Sequence, residues 1–289
     1  MRTDTLGGFL KNRRDRISPD AAGVPAYGTV RRVPGLRREE LAMLAGVSVG
    51  YYTRLEQDQT GTASAQVLDA LARALRLDET EATHLYNLAH RSGLSCLEEP
   101  DPEMLAPRAS ALLAALGESV PAIVLGRRGD ILAWNRSGHV IAAGHLPEHS
   151  PQHPATRPST ARMFFLDRSL REQYRNWEEL ARIHIGYLRL TSGRYPNDAT
   201  LAALIGELSM HSHEFARLWA AGEVADCTTG QMLLNHPLLG KVDLDYQVWL
   251  QPDSPDHRLE VYTPRNEATR AALARMTGST ETTSFDGRP

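Results

Sequence analysis

The chain has 289 residues, a length that fits two domains of ordinary size. Its 42% hydrophobic and 23% charged content is that of a globular protein and excludes a disordered one. Apolar runs such as VPAIVL and LLAALG fall far short of the roughly 18 residues that span a bilayer, and the net charge of −3 argues at first against a polyanionic partner.

The first sixteen residues, MRTDTLGGFLKNRRDR, hold no apolar signal core, so a cytoplasmic protein with no membrane partner is expected. Cys96 and Cys227 form no CxxC and read as incidental thiols, with a redox switch as the sharper alternative. Only Lys11 and Lys241 among the 32 basic residues are lysine, a bias that hints at a GC-rich bacterial genome.

The charge is unevenly spread. Residues 11 to 38 hold Lys11, Arg13, Arg14, Arg16, Arg31, Arg32, Arg37 and Arg38 against Asp15 and Asp20, a local balance of +6. Such a segment is either a phosphate-binding surface or a solvated basic face.

Leu6, Phe9, Leu10 and Ile17 have helical spacing and predict a helix over residues 5 to 16. Pro19, Gly23, Pro25 and Gly28 then break the chain into a loop. A second helix is expected from Arg37 to Ala45. A third follows Ser48, whose hydroxyl can cap its first turn, and runs to about Gln57. Ser64 caps a fourth, with Val67, Leu68, Leu71, Ala72 and Leu75 on one stripe. DETEATHLYNLAHRSG is a fifth, acidic in its first turn and closed near Gly93.

The second and third helices have helix-turn-helix chemistry. Ala42 is small where the third helix must cross closely, and Gly46 supplies a permissive backbone at the turn. Leu41, Ala45, Val47, Tyr52 and Leu55 are spaced to bury between the helices. Val49, Gly50, Tyr51, Thr53 and Arg54 then form the outer face and N-terminal end that reach base edges in a major groove, and Ser48 at the start of the helix is a further candidate DNA contact. Arg54 can donate twice to guanine, while Tyr51 and Thr53 can touch a thymine methyl group. Arg37 and Arg38, with Arg31 and Arg32 upstream, are the candidate phosphate clamps. EELAMLAGVSVGYYTRLE resembles the Cro/phage-repressor, or XRE, helix-turn-helix family. One departure is local: where the family has a short polar residue and a glycine after the glutamate, this chain has Gln57 and Asp58, with Gly61 three residues on. An aspartate there would repel phosphate.

LEEPDPEMLAPRAS, acidic and proline-bearing, marks the domain boundary. The expected division is a DNA-binding domain over 1–94, a linker over 95–107, a second domain over 108–265 and a partly disordered tail over 266–289. After a helix at ALLAALGES, Ile123 to Leu125 and Ile131 to Trp134 form a hairpin about Gly126 to Asp130. Asn135 caps the helix that follows, and four prolines between 147 and 158 make a loop. Leu170, Tyr174, Trp177, Ala181, His184 and Leu188 share one helical face. Two further helices carry Leu201, Leu204, Ile205 and Leu208, then Phe215, Leu218 and Trp219. QMLLNHP, GKVDLDYQVWLQP and HRLEVYTP alternate as strands do, with Val242, Leu244, Tyr246, Val248 and Leu250 on one face. The fold class is therefore an all-α helix-turn-helix bundle followed by an α+β domain. Its hairpin and C-terminal strands form one antiparallel sheet with helices on one face.

VLGRRGDILAWNRSG, SLREQYRNWEELARIHIGYLR, LIGELSMHSHEFARLWAAGEV, LNHPLLGKVDLDYQVW and HRLEVYTP resemble the ligand-binding domain of MmyB/MltR-like transcription regulators of actinobacteria. The resemblance implies a PAS-like sensor whose cavity takes fatty-acid-like apolar ligands. Trp134, Phe164, Phe165, Trp177, His184, Leu188 and Trp219 are the candidate pocket residues, with core packing as the bland reading of each. Arg162, Arg175, Arg182 and Arg189 could fork a carboxylate or lie solvated on the surface. His145, His149 and His153 stand four apart, but prolines deny them a helix, so no metal site is expected. The sequence has no nucleophile elbow, P-loop, dinucleotide fingerprint or HExxH, and neither an enzyme nor a cofactor is expected.

The expectation is a dimeric transcription regulator, most simply a repressor, that binds a double-stranded operator and answers to a small apolar effector. The alternative keeps the DNA head and makes the second domain a ligand-free dimerisation or partner-binding module.

Overall fold

The computed structural model describes residues 5–24, 34–60, 63–90, 103–224, 228–251 and 254–277. In chain order the first helices are α1 (Leu6–Arg16), α2 (Arg38–Ala45), α3 (Val49–Glu56), α4 (Ala65–Ala74), α5 (Glu79–His90) and α6 (Pro107–Leu116). Strands β1 (Ala122–Leu125) and β2 (Ile131–Trp134) follow, then α7 (Arg136–Ala143), α8 (Thr160–Leu166), α9 (Arg168–Gln173), α10 (Trp177–Arg194), α11 (Ala199–His211) and α12 (His213–Ala221). Strands β3 (Thr229–His236), β4 (Gly240–Gln251) and β5 (Ser254–Pro264) and helix α13 (Glu267–Thr277) complete the order.

The chain divides into two compact units. A helical unit takes Met1–Asp101 and Ile185–Asp226, and an α+β unit takes Pro102–His184 and Cys227–Pro289. The division falls inside α10.

In the helical unit, local signals set the boundaries. Ser48 and Ser64 each accept a backbone N–H from three residues ahead, at 3.2 and 3.4 Å, and start α3 and α4. Gly46 ends α2 at φ 67°, a left-handed conformation that glycine adopts without a Cβ penalty. Leu10, Leu36, Leu41, Tyr52, Leu55, Leu68, Leu71 and Leu85 form the core, each contributing about 1.5–3 kcal/mol by leaving water. Val47 and Tyr51 pack half-buried at its edge. At Gly7 a Cβ would lie 2.3 Å from the Glu56 carbonyl oxygen, so only glycine lets α1 cross α3 this closely.

The α+β unit is built on a five-stranded antiparallel sheet in the order β2-β1-β5-β4-β3. Asn135 ties its hairpin to α7: its Oδ1 accepts from the Ala122 and Gly138 amides at 3.0 and 2.9 Å, and its Nδ2 donates to the Val120 carbonyl at 2.8 Å. The sequence places helices on one face of this sheet, but the structure uses both. Val124 pairs with Ala133 and Leu259, and that row faces α6 through Ala109 and Leu113. The alternate row, Trp134–Ile123–Glu260–Val248, faces the other way. Val242, Leu244 and Tyr246 are buried as their alternation requires, whereas Trp249 and Leu250 are exposed beside the irregularity at the end of β4. Packed structure continues past residue 265 into α13, where Thr269, Ala272 and Leu273 are buried. Of the tail over 266–289 expected to be partly disordered, residues 278–289 lie outside the described residues.

Candidate DNA interface and effector site

Helix α3 turns one face inward and one outward. Tyr52, Leu55 and Glu56 are buried, while Ser48, Val49, Gly50 and Arg54 are exposed and Tyr51 and Thr53 half-exposed. Val49, an apolar side chain, is 41% exposed at the helix start, and nothing lies within 4 Å of where a Gly50 side chain would begin. The five residues expected to read bases, and Ser48 at the helix start, are thus all at least half-exposed.

That surface rests on a buried ion network centred on Glu56. Its carboxylate accepts from Arg14 Nε at 3.0 Å, Arg14 Nη2 at 3.1 Å and Arg38 Nε at 3.0 Å. Burial pushes the Glu56 carboxyl up, but Arg14 and Arg38 outweigh it and hold it below the usual glutamate range. Arg14 also donates to the Leu36 carbonyl at 2.6 Å, which fixes the entry to α2. Two of the eight basic residues counted in the sequence are therefore internal. Arg14 is 5% exposed, and Arg13, at 4%, pairs with Glu81 at 3.1 Å and donates to the Gly222 carbonyl. Arg38 keeps close to half of its side chain exposed while Glu56 orients it. The Arg37 backbone N–H donates to Glu40 at 2.7 Å in a capping box. Arg31 and Arg32 lie outside the described residues.

Asp58, the departure from the family pattern, has φ 56°, the left-handed geometry usually given to glycine. Its Oδ1 accepts the Gly7 N–H at 2.7 Å, at the positive end of α1. The carboxylate is thus engaged at the start of α1 within the helical unit.

In the α+β unit four of the seven expected pocket residues come together. Phe164 stacks on Trp177 with centroids 5.4 Å apart, meets Phe165 at 5.5 Å and lies 4.6 Å from the His184 ring. Arg171 covers the Trp177 ring at 4.2 Å. Trp134 stands on the inner sheet row, packs on His139 at 4.6 Å and donates its indole N–H to the Glu148 carbonyl. Leu188 and Trp219 do not join them. Both are buried in the helical unit, where Trp219 stacks on Phe215 and the Arg189 guanidinium lies 4.1 Å over it.

Three polar residues absent from the expected set complete the region. Tyr174 lies 5.0 Å from Phe164, and Glu260 and Arg258 project from the inner face of β5. Tyr174, His184 and Glu260 are each half-buried. Burial pushes the His184 imidazole down to about 4, with the Arg258 charge adding to it. Burial also pushes the Glu260 carboxyl up, against Arg258 and the Tyr262 hydroxyl that donates to it. The period-2 alternation of HRLEVY marked these residues as sharing a face, but alternation does not say which face is covered.

A concavity of about 620 Å³ lies between α6 and the sheet face that carries Val124, Leu259 and Val261, and Leu112, Trp249, Arg108 and His257 also line it. Its volume is in the range of small-molecule sites. The four candidate arginines are engaged or outward. Arg175 pairs with Asp243, Arg182 with Glu178 and Arg189 with the Trp219 carbonyl, while Arg162 is exposed.

Two family models match the chain. The MmyB-like transcription regulator ligand binding domain matches residues 105–276, and a helix-turn-helix domain matches residues 5–85. No curated protein matches it significantly.

Proposed function

Because the chain belongs to the family of the MmyB-like transcription regulator ligand binding domain and carries a helix-turn-helix domain ahead of it, it is a DNA-binding transcription regulator, and we propose that it is a dimeric cytoplasmic repressor released or recruited by a small apolar effector. The observation that carries the DNA assignment is the open face of α3, Ser48 to Arg54, seated on the Glu56 network. A dimer sets two such helices in successive major grooves, about one DNA turn apart. Arg54 reads a base edge, and Arg37 and Arg38 hold phosphates.

Binding of an operator selected from genomic DNA, followed by fluorescence anisotropy, tests this reading. Arg54→Ala loses about 1–3 kcal/mol on the operator and relaxes its sequence preference, whereas Arg38→Ala weakens operator and unrelated DNA alike. Operator affinity unchanged in Arg54→Ala sinks the base-contact role.

The effector reading rests on the aromatic cluster Phe164, Phe165 and Trp177, with Trp134 on the inner row of the sheet. Five antiparallel strands with helices against them suit a PAS-like sensor. The effector must bind the two arrangements of the dimer unequally, or nothing switches. Extraction and mass spectrometry of the purified protein is expected to find a long-chain amphiphile. Exposed Trp249, Leu250 and Leu112 beside the concavity under α6 favour another reading, in which this unit dimerises or binds a partner without an effector. Loss of the dimer in Trp249→Asp, with no extractable ligand, would favour that one.

A further inference from the structure

We propose that the concavity under α6 is a second small-molecule site of the α+β unit, which takes an apolar molecule bearing a hydroxyl group and hydrogen-bonds that hydroxyl through His257. The inference goes beyond the effector reading, which rests on the aromatic cluster at Phe164, and it can fail without it.

Two walls enclose the space. Arg108, Leu112 and Leu116 stand four apart on α6 and so share one stripe of that helix. The adjoining stripe, Ala109 and Leu113, is buried against Ala122, Val124 and Leu132 and holds the helix on the sheet. The sheet supplies the other wall. Trp249 pairs with Leu259 and Leu259 with Val124, while Gln247 pairs with Val261. Between them lie about 620 Å³, room for a whole small molecule.

His257 is the polar exception on this apolar lining. It continues the alternation of Leu259 and Val261 along β5 and lines the same space. The residue is 9% exposed, and its Nδ1 is buried without a hydrogen-bond partner among the described residues. A buried ring nitrogen without a partner is costly, so its position beside an open space points to a ligand group. Burial pushes the imidazole below its ordinary value, against the pull of Asp256, so the ring is neutral at about pH 7.5. A neutral imidazole has one donor and one acceptor nitrogen, and a hydroxyl can pair with either. A second copy of this chain seated on Trp249, Leu250 and Leu112 would cover the exposed apolar rim and leave the buried nitrogen unmatched. A slender apolar alcohol can cover the apolar wall and match the nitrogen as well.

Titration of the full-length protein with dodecan-1-ol at about pH 7.5, followed by tryptophan fluorescence, tests this. A saturable change that disappears in Trp249→Phe is expected. His257→Phe, which keeps an aromatic ring and removes both nitrogens, is expected to weaken the alcohol by about ten-fold in calorimetric titration. Leu112→Trp, which fills the space from an exposed position, is expected to weaken it at least as much. Phe164→Leu should leave the affinity unchanged. Binding that Phe164→Leu abolishes and His257→Phe leaves alone places the alcohol at the aromatic cluster, which overturns the inference while the effector reading stands. Failure of the folded parent protein to bind the alcohol also overturns it, and a dimer that then dissociates in Trp249→Asp assigns the concavity to a second copy.

Discussion

The two units bury ionisable groups in opposite ways. In the helical unit Glu56 is buried and keeps its charge, because Arg14 and Arg38 hold its carboxylate with directed bonds. In the α+β unit the burial of His184 suppresses its charge, and burial pushes Glu260 towards the neutral form against the pull of Arg258. The difference follows from what each unit positions. A satisfied ion network fixes three backbone segments at once (the end of α1, the entry to α2 and the end of α3), and a reading helix must be fixed in that way. Charge held by partners gives rigidity, whereas charge suppressed by burial keeps the neutral form of the side chain inside the unit.

The largest expected effect breaks the first half of that contrast. Glu56→Gln leaves the buried Arg14 without its counter-charge and is expected to cost about 3–5 kcal/mol. Urea unfolding followed separately for each unit checks it. The helical transition should move to lower denaturant, and the transition reported by Trp134 and Trp177 should stay in place.

The next effect sharpens the contrast through acid. His184 has an ordinary value near 6.5 unfolded and about 4 folded. The unfolded chain therefore takes up the proton first, so stability is full above pH 6.5 and is lost as pH falls towards 4, by up to about 3 kcal/mol. Glu56, also depressed on folding, contributes stability that is present above the ordinary glutamate value and lost only below it. Through His184 the α+β unit should begin to lose stability at a higher pH than the helical one, with Glu260, raised on folding, acting in the opposite direction. Thermal unfolding of the parent protein and His184→Gln across this range checks the order. A variant with the same pH profile as the parent removes His184 as the cause.

The smallest effect concerns Asp58. Asp58→Gly keeps the left-handed backbone but removes the carboxylate from the α1 amides, and is expected to cost about 1 kcal/mol in the helical unit. DNA affinity measured at saturating stability should be unaffected. A clear gain in affinity would restore the repulsion between Asp58 and phosphate.

The helix-turn-helix was legible in the sequence nearly residue by residue because its signals are local. Ser48, Ser64 and Gly46 act within a few residues, and α2 and α3 begin and end within one residue of their expected bounds. The function of Asp58 was not legible, since its partner is Gly7, fifty-one residues away. Helical period also grouped His184 and Leu188 on one face of α10, yet the compact units divide between them. Period fixes the side of a helix, and packing decides what that side meets. Tyr174 was read as one more member of that stripe, and Glu260 and Arg258 as ordinary strand residues. Their place became visible only when β5 lay at the centre of the sheet, with both faces covered. The α13 helix was missed because its buried face holds only Thr269, Ala272 and Leu273, too weak a pattern to stand out.

The inward turn of Arg13 and Arg14 has a consequence for how this protein would compete for DNA in salt. Each phosphate neutralised releases condensed counterions and steepens the fall of log affinity with log salt by about 0.9. Two arginines spent on Glu81 and Glu56 release none. The salt slope should therefore be shallower by about 2 than the basic count of residues 11 to 38 implies. A larger share of the operator affinity then survives at high ionic strength, where discrimination by the face of α3 counts for most.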